Sequence, residues 1–178
     1  MDLILILGPM KSGKSLILIK FFNSLDKSIK FKVFQPVANV RDDNVRSRNG
    51  LEIESTKINT FAEIINDDSE IIGVDEIHMF PVKEIKYIKE ILKQKKKIII
   101  SGLEMDYQGK IFPIIKELIN LSPKKIYLRK ARCEICGQPA EFNQILKNNQ
   151  PILKGLPASV PDDGTYEYKT VCRKCFIK

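Results

Sequence analysis

The sequence predicts an α/β fold, a parallel sheet flanked by helices, followed by a small C-terminal domain of different character. Three observations carry this. Short apolar runs alternate with helix-like stretches through the first two-thirds of the chain, the pattern of strands joined by crossover helices. Several of those runs are continuously apolar, as strands buried on both faces are. Beyond Lys130 the pattern gives way to two cysteine pairs, turn residues and weak periodicity. The expected units are therefore 1–129 and 130–178.

The expected strands are Leu3–Leu7, Lys32–Gln35, Ile71–Asp75, Ile98–Gly102 and Lys125–Arg129. Ser15 to Phe22 is apolar nearly all round and reads as a buried helix. Val82 to Lys93 places Val82, Ile85, Ile88 and Leu92 on one face with lysines opposite, an amphipathic helix. Ile111 to Leu121 is a third helix. The polar, breaker-rich stretch Arg41 to Gly50 reads as a mobile loop.

The chain has 178 residues, 43% of them apolar and 29% charged. That suits one modest domain with a small appendage. No run approaches the roughly 18 apolar residues of a membrane span. Leu3–Leu7 is short, follows Asp2 and lacks the basic start of a signal peptide, so a cytoplasmic protein is expected. The net charge is +8. It admits nucleic acid or phosphorylated ligands, but no basic helix or aromatic stripe organises it, and a compositional bias toward lysine is the better explanation.

Gly8-Pro9-Met10-Lys11-Ser12-Gly13-Lys14-Ser15 fits G-x-x-x-x-G-K-[ST], with a strand before it and a helix after it. This is a P-loop. Backbone N–H groups must wrap around phosphate oxygens, and glycines permit the close approach. The following helix turns its positive end to the anion. Lys14 supplies charge for the terminal phosphates and Ser15 a hydroxyl for Mg²⁺. The loop thus predicts binding of a phosphorylated nucleotide with Mg²⁺.

The run Ile71-Ile72-Gly73-Val74 ends in Asp75-Glu76. An acid at such a strand end reaches Mg²⁺ in P-loop folds, and Asp75 fits that role. Glu76 would lie near the γ-phosphate, where a carboxylate can take a proton from the attacking oxygen. Asp75-Glu76-Ile77-His78 also fits the D-E-x-H string of nucleic-acid-stimulated ATPases, in which water attacks. That reading stays open, although such motors use two lobes and this chain holds one. His78, the single histidine, is either a ligand contact or a locally bonded core residue.

Cys133-x-x-Cys136 and Cys172-x-x-Cys175 use all four cysteines. Each pair offers two thiolates from one turn, and two turns complete a tetrahedral Zn²⁺ shell. Gly137 suits a knuckle turn, and Arg132, Arg173 and Lys174 offset thiolate charge. A disulfide framework conflicts with a cytoplasmic location. The 35 residues between the pairs exceed what a simple ribbon needs.

Taken together, these features resemble the type II thymidine kinases, the cytosolic and bacterial family. The resemblance covers nearly the whole chain. It rests on GPMKSGKS, the D-E pair, the segment Gly102-Leu103-x-x-Asp106-Tyr107 and the ending VCRKCF. It implies phosphorylation of thymidine by ATP, with Gly8 to Ser15 holding the donor, Glu76 as base on the 5′-hydroxyl and Asp75 helping to hold Mg²⁺. Arg41 and His78 fall on the donor side. Met10 and Leu103 match the wall of the thymine methyl pocket, and Tyr107 and Phe112 its aromatics.

The stretch between the cysteine pairs resembles the family's lasso loop. It implies contacts from Ser159, Val160, Pro161, Asp162 and Asp163, with Tyr168 as aromatic latch. The family is usually a homotetramer, inhibited by thymidine triphosphate. Several positions depart from the pattern. Asn39 stands where Asp is common, Met79 where an aromatic is, His78 where Gln is, and Ile145 where a basic residue is. The lasso has only Gly164 in place of a Gly-Gly pair, so Tyr166 competes with Tyr168 for the latch.

Overall fold

A computed structural model describes residues 2–160 and 162–177. Strand β1 (Leu3–Leu7) leads through the phosphate loop into helix α1 (Lys14–Asn23) and then β2 (Phe31–Pro36). A small antiparallel hairpin follows, β3 (Val45–Arg46) with β4 (Glu52–Ile53), and then β5 (Thr56–Ile58). Next come β6 (Ile71–Val74), α2 (Ile85–Lys93), β7 (Lys97–Gly102), α3 (Pro113–Asn120) and β8 (Lys125–Leu128).

Six strands form one parallel sheet in the order β5-β2-β6-β7-β1-β8. Their alternation sorts the core. Leu3, Leu5 and Leu7 point to one face, with Ile98, Ile100, Ile88, Ile115 and Leu118. Ile6 points to the other, with Val33, Ile99, Leu18, Ile19 and Phe22. The first face packs α2 and α3, the second α1. Gly73 lets α1 sit close, because a Cβ there would meet the Phe22 ring at 2.6 Å.

The five expected strands and three expected helices are present, with three differences. Val82 is exposed: it opens a short 3-10 turn, Val82–Glu84, ahead of α2. That turn has a different residue spacing, so Val82 leaves the apolar face and Ile91 completes it. Strand β8 ends at Leu128, one residue before the expected Arg129, and forms an edge of the sheet, with Leu128 64% exposed. The stretch Arg41 to Gly50 carries β3 instead of being wholly loop.

After β8 the chain forms two smaller antiparallel sheets. β9 (Ala131–Arg132) pairs with β10 (Pro139–Ala140). β11 (Phe142–Lys147) is flanked by β12 (Gln150–Pro151) and β13 (Glu167–Val171). Cys133, Ala140, Phe142, Val171 and Cys172 make a small core of their own, and Phe142 and Phe176 stack at 4.5 Å.

Candidate active site

The site lies beyond the C-terminal ends of the parallel strands, where α/β sheets hold ligands. The phosphate loop leaves β1 at Gly8, whose φ is +148° and where a Cβ would meet the Arg129 carbonyl oxygen at 2.4 Å. Only glycine fits. Gly13, with φ of 80°, caps α1. Lys14 is buried, and its Nζ donates to the Pro9 carbonyl at 2.7 Å. Burial pushes the Lys14 ammonium below its ordinary pKa, and the Glu76 and Asp75 carboxylates oppose that shift. The buried Ser12 hydroxyl has no hydrogen-bond partner among the described residues.

Asp75 follows β6 and is 4% exposed. The Ser101 hydroxyl of β7, the strand between β6 and β1, donates to its Oδ1 at 2.5 Å. Burial raises the Asp75 carboxyl pKa, as does Glu76, while bonds from Ser101 and Ser15 work against the rise. Two hydroxyls on one buried carboxylate, beside the phosphate loop, make a hard oxygen donor set of the kind Mg²⁺ takes.

Glu76 adopts a left-handed backbone, φ 52° and ψ 40°. For a residue with a Cβ that conformation costs on the order of 1 kcal/mol and concentrates at functional sites. Its Oε2 is buried with no hydrogen-bond partner among the described residues. His78 Nδ1 stands 3.4 Å from that oxygen. That nitrogen accepts the Leu103 N–H at 3.3 Å. His78 is neutral, held down to about 3 by burial first and then by Lys14, and its ring packs on Phe112 at 5.0 Å.

Two adjoining cavities meet here. The larger, about 250 Å³, is lined by the phosphate loop, Arg41, Glu76 and the hairpin arginines Arg46 and Arg48. The narrower, about 30 Å³, is lined by Leu103, Met105, Tyr107, Phe112 and Ile145, with Ala158 and Ser159 from the long C-terminal loop. Met10, His78, Leu103, Val160 and Tyr168 border both. One cavity is thus basic and loop-walled, and the other largely apolar.

The long loop is tied across the narrower cavity. The Tyr107 hydroxyl donates to the Leu156 carbonyl at 3.1 Å and accepts the Leu156 N–H at 3.2 Å. The Tyr168 hydroxyl donates to the Val160 carbonyl at 3.1 Å. Burial, with Asp162 and Asp163 nearby, pushes that phenol up to about 12, so it stays a donor. Between the two competing tyrosines, Tyr168 borders the cavities. Asp162 meets Arg41 at 3.4 Å. Asp163 borders neither cavity and caps Thr165 N–H at 2.9 Å. Pro161 lies outside the described residues.

Sequence reasoning did not single out Ser101, Arg46, Arg48 or Asn143. Ser101 and Asn143 reach the site only through tertiary contact. Arg46 and Arg48 sat in the polar stretch read as loop. Their density of charge beside a phosphate loop was the available signal.

The four cysteine sulfurs lie within 4.8 Å of one another, and this cluster could hold a metal ion. Knuckle turns present the sulfurs: the Gly137 N–H meets the Cys133 carbonyl at 2.9 Å and the Phe176 N–H the Cys172 carbonyl at 3.0 Å. Burial works against ionisation of Cys133, but backbone N–H groups of Cys136, Cys172 and Ile135 hold its thiol down to about 6. Cys175 is pushed up to about 12, first by Cys136, then by burial and the other thiols. Four thiols this close ionise together only when a cation offsets their charge, so the donor set fits a divalent metal.

Strand, phosphate loop, helix and the paired acids at the end of β6, one strand removed from β1, define a P-loop nucleotide-binding enzyme carrying a four-cysteine segment that could hold a metal ion. The thymidine kinase family model matches residues 1–176. The thymidine kinase of Thermococcus kodakarensis is 32% identical over 95% of this chain and 90% of that protein. The chain belongs to the thymidine kinase family.

Proposed function

We propose that this chain transfers the γ-phosphoryl group of ATP to the 5′-hydroxyl of thymidine. One observation carries the reading: a buried Glu76 oxygen without a hydrogen-bond partner among the described residues lines the phosphate-loop cavity, 3.4 Å from His78 Nδ1, and His78 borders both that cavity and the apolar one. A donor on one side and an uncharged base on the other would place the nucleoside hydroxyl at that oxygen.

In this reading Gly8 to Ser15 hold the ATP phosphates, with Arg41 beside them. Lys14 stabilises charge on the moving phosphoryl group, and Glu76 takes the hydroxyl proton. Ser15 and Asp75 would hold Mg²⁺, which supplies neutralising charge for the phosphates. Catalysis is positioning and electrostatics. Met10, Leu103 and Phe112 supply apolar surface for the thymine methyl group, and Tyr107 packs the base. The segment Ser159 to Asp163 closes over the nucleoside, latched by Tyr168.

Cys133, Cys136, Cys172 and Cys175 would hold a structural Zn²⁺. It ties both ends of the lasso and lowers the cost of ordering it. The chain then divides into a nucleotide-binding unit, 1–129, and a zinc and lasso unit, 130–178. We extend the proposal to a homotetramer in the cytoplasm, inhibited by thymidine triphosphate.

Incubation with Mg·ATP and thymidine tests this, with single-stranded DNA as the alternative stimulus. Thymidine monophosphate as product supports the proposal. ADP release stimulated by DNA and not by nucleosides would replace it with the ATPase reading.

A further inference from the structure

Met10 belongs to the phosphate loop, yet its main chain is held from outside that loop. Its N–H donates to Asn143 Oδ1 at 2.8 Å, and its carbonyl accepts the Thr170 hydroxyl at 3.1 Å. Asn143 on β11 and Thr170 on β13 are register partners. They are 5% and 1% exposed. A polar side chain buried this deeply is costly unless bonded, and each of these two bonds the same loop residue.

The next residue is held as well. Lys11 has a left-handed backbone, φ 61°, and its Nζ lies 2.5 Å from Glu134 Oε2. The other Glu134 oxygen accepts the Thr170 N–H at 2.6 Å, and the Glu134 N–H donates to the Thr170 carbonyl at 2.9 Å. Glu134 sits inside the Cys133–Cys136 turn. The Lys11 pair is about one-third exposed on each side and contributes little by itself. The buried Asn143 and Thr170 bonds are the stronger grip.

Simple docking of the small sheet on the large unit would be served by any surface. Here it engages both polar groups of one peptide residue, and that residue borders both cavities. We infer that Asn143 and Thr170 are positioning residues for phosphoryl transfer, holding Met10 so that the phosphate loop and the acceptor wall keep one fixed relation. This rests on the phosphotransferase reading above. The grip matters because a misplacement of about 1 Å in such a site can cost up to about 100-fold in rate.

Thr170→Val removes the hydroxyl and conserves the side-chain shape, whereas Thr170→Ser keeps the hydroxyl. Each variant would be checked for thermal unfolding and metal content, then titrated with Mg·ATP directly and assayed with thymidine. The expected result for Thr170→Val is ATP binding weakened about three- to tenfold, the worth of one hydrogen bond, with kcat also reduced and with unfolding temperature and metal content kept. Thr170→Ser restores both. Asn143→Ala, the second probe should Thr170→Val not fold, weakens ATP binding to a similar extent. Valine and serine variants that behave alike, or ATP binding and kcat unchanged in Thr170→Val and Asn143→Ala, would overturn the inference. A wild-type protein that fails to phosphorylate thymidine overturns the function reading instead, and the direct ATP titration still decides the positioning role.

Discussion

Glu76 Oε2 and His78 Nδ1 stand 3.4 Å apart and do not form an ion pair. The Leu103 N–H already points at Nδ1, so that nitrogen carries the lone pair and the proton sits on Nε2. Two acceptors face each other. The carboxylate oxygen therefore gains no hydrogen bond from His78 and remains available to an incoming hydroxyl. His78 also packs on Phe112 and so fixes the wall where the two cavities meet.

That neutral histidine makes stability depend on pH. In the unfolded chain it takes up a proton below its ordinary value of 6.5, whereas in the native protein it resists until about 3. The unfolded state thus binds more protons in this window, and stability falls as pH drops through it, by up to about 1.4 kcal/mol per unit. Urea unfolding at pH 7 and pH 4.5 should show the wild type losing more stability than His78→Gln. Equal losses would place the acid sensitivity elsewhere.

The lasso predicts a split between the two substrates. Tyr107→Phe removes both bonds to Leu156 and leaves the ring. Losing two hydrogen bonds should raise KM for thymidine roughly tenfold, with KM for ATP within about twofold, because Tyr107 borders only the narrower cavity. Steady-state kinetics with each substrate varied in turn checks this. A matching rise for ATP would mean that the loop acts on the whole site.

The cysteine cluster predicts metal dependence. Elemental analysis should find about one Zn²⁺ per chain bound by four thiolates. Cys172→Ala should release it and lower the unfolding temperature by on the order of 10 °C, as expected for a loss of a few kcal/mol in a chain of this size. Metal-free thiols in a folded, fully active protein would refute the structural role.

The parts of this molecule that were legible in the sequence are contiguous. A phosphate loop, an acidic strand end and a Cys-x-x-Cys turn each need their residues within a few positions, so Gly8 to Ser15, Asp75-Glu76 and the cysteine pairs stand out. Long apolar runs likewise announce β1, β6 and β7. The hairpin β3–β4 was hidden because its two-residue strands are too short to alternate. Val82 misled because it fits a helical spacing that the 3-10 turn does not use. Ser101, Asn143 and Thr170 were illegible for a deeper reason. Each reaches the site by a single hydroxyl or amide across a fold-dependent distance, and nothing in its neighbourhood along the chain marks it.

The Glu76 oxygen, without a hydrogen-bond partner among the described residues, is the centre of the proposed chemistry, and Glu76→Gln tests it most directly. The substitution keeps size and removes basicity. Turnover would be measured at saturating Mg·ATP and thymidine, beside a direct ATP titration. The expected result is a loss of roughly 100-fold or more in kcat, as removal of a general base produces, with ATP affinity and unfolding temperature close to wild type. Near-wild-type turnover in Glu76→Gln would contradict it.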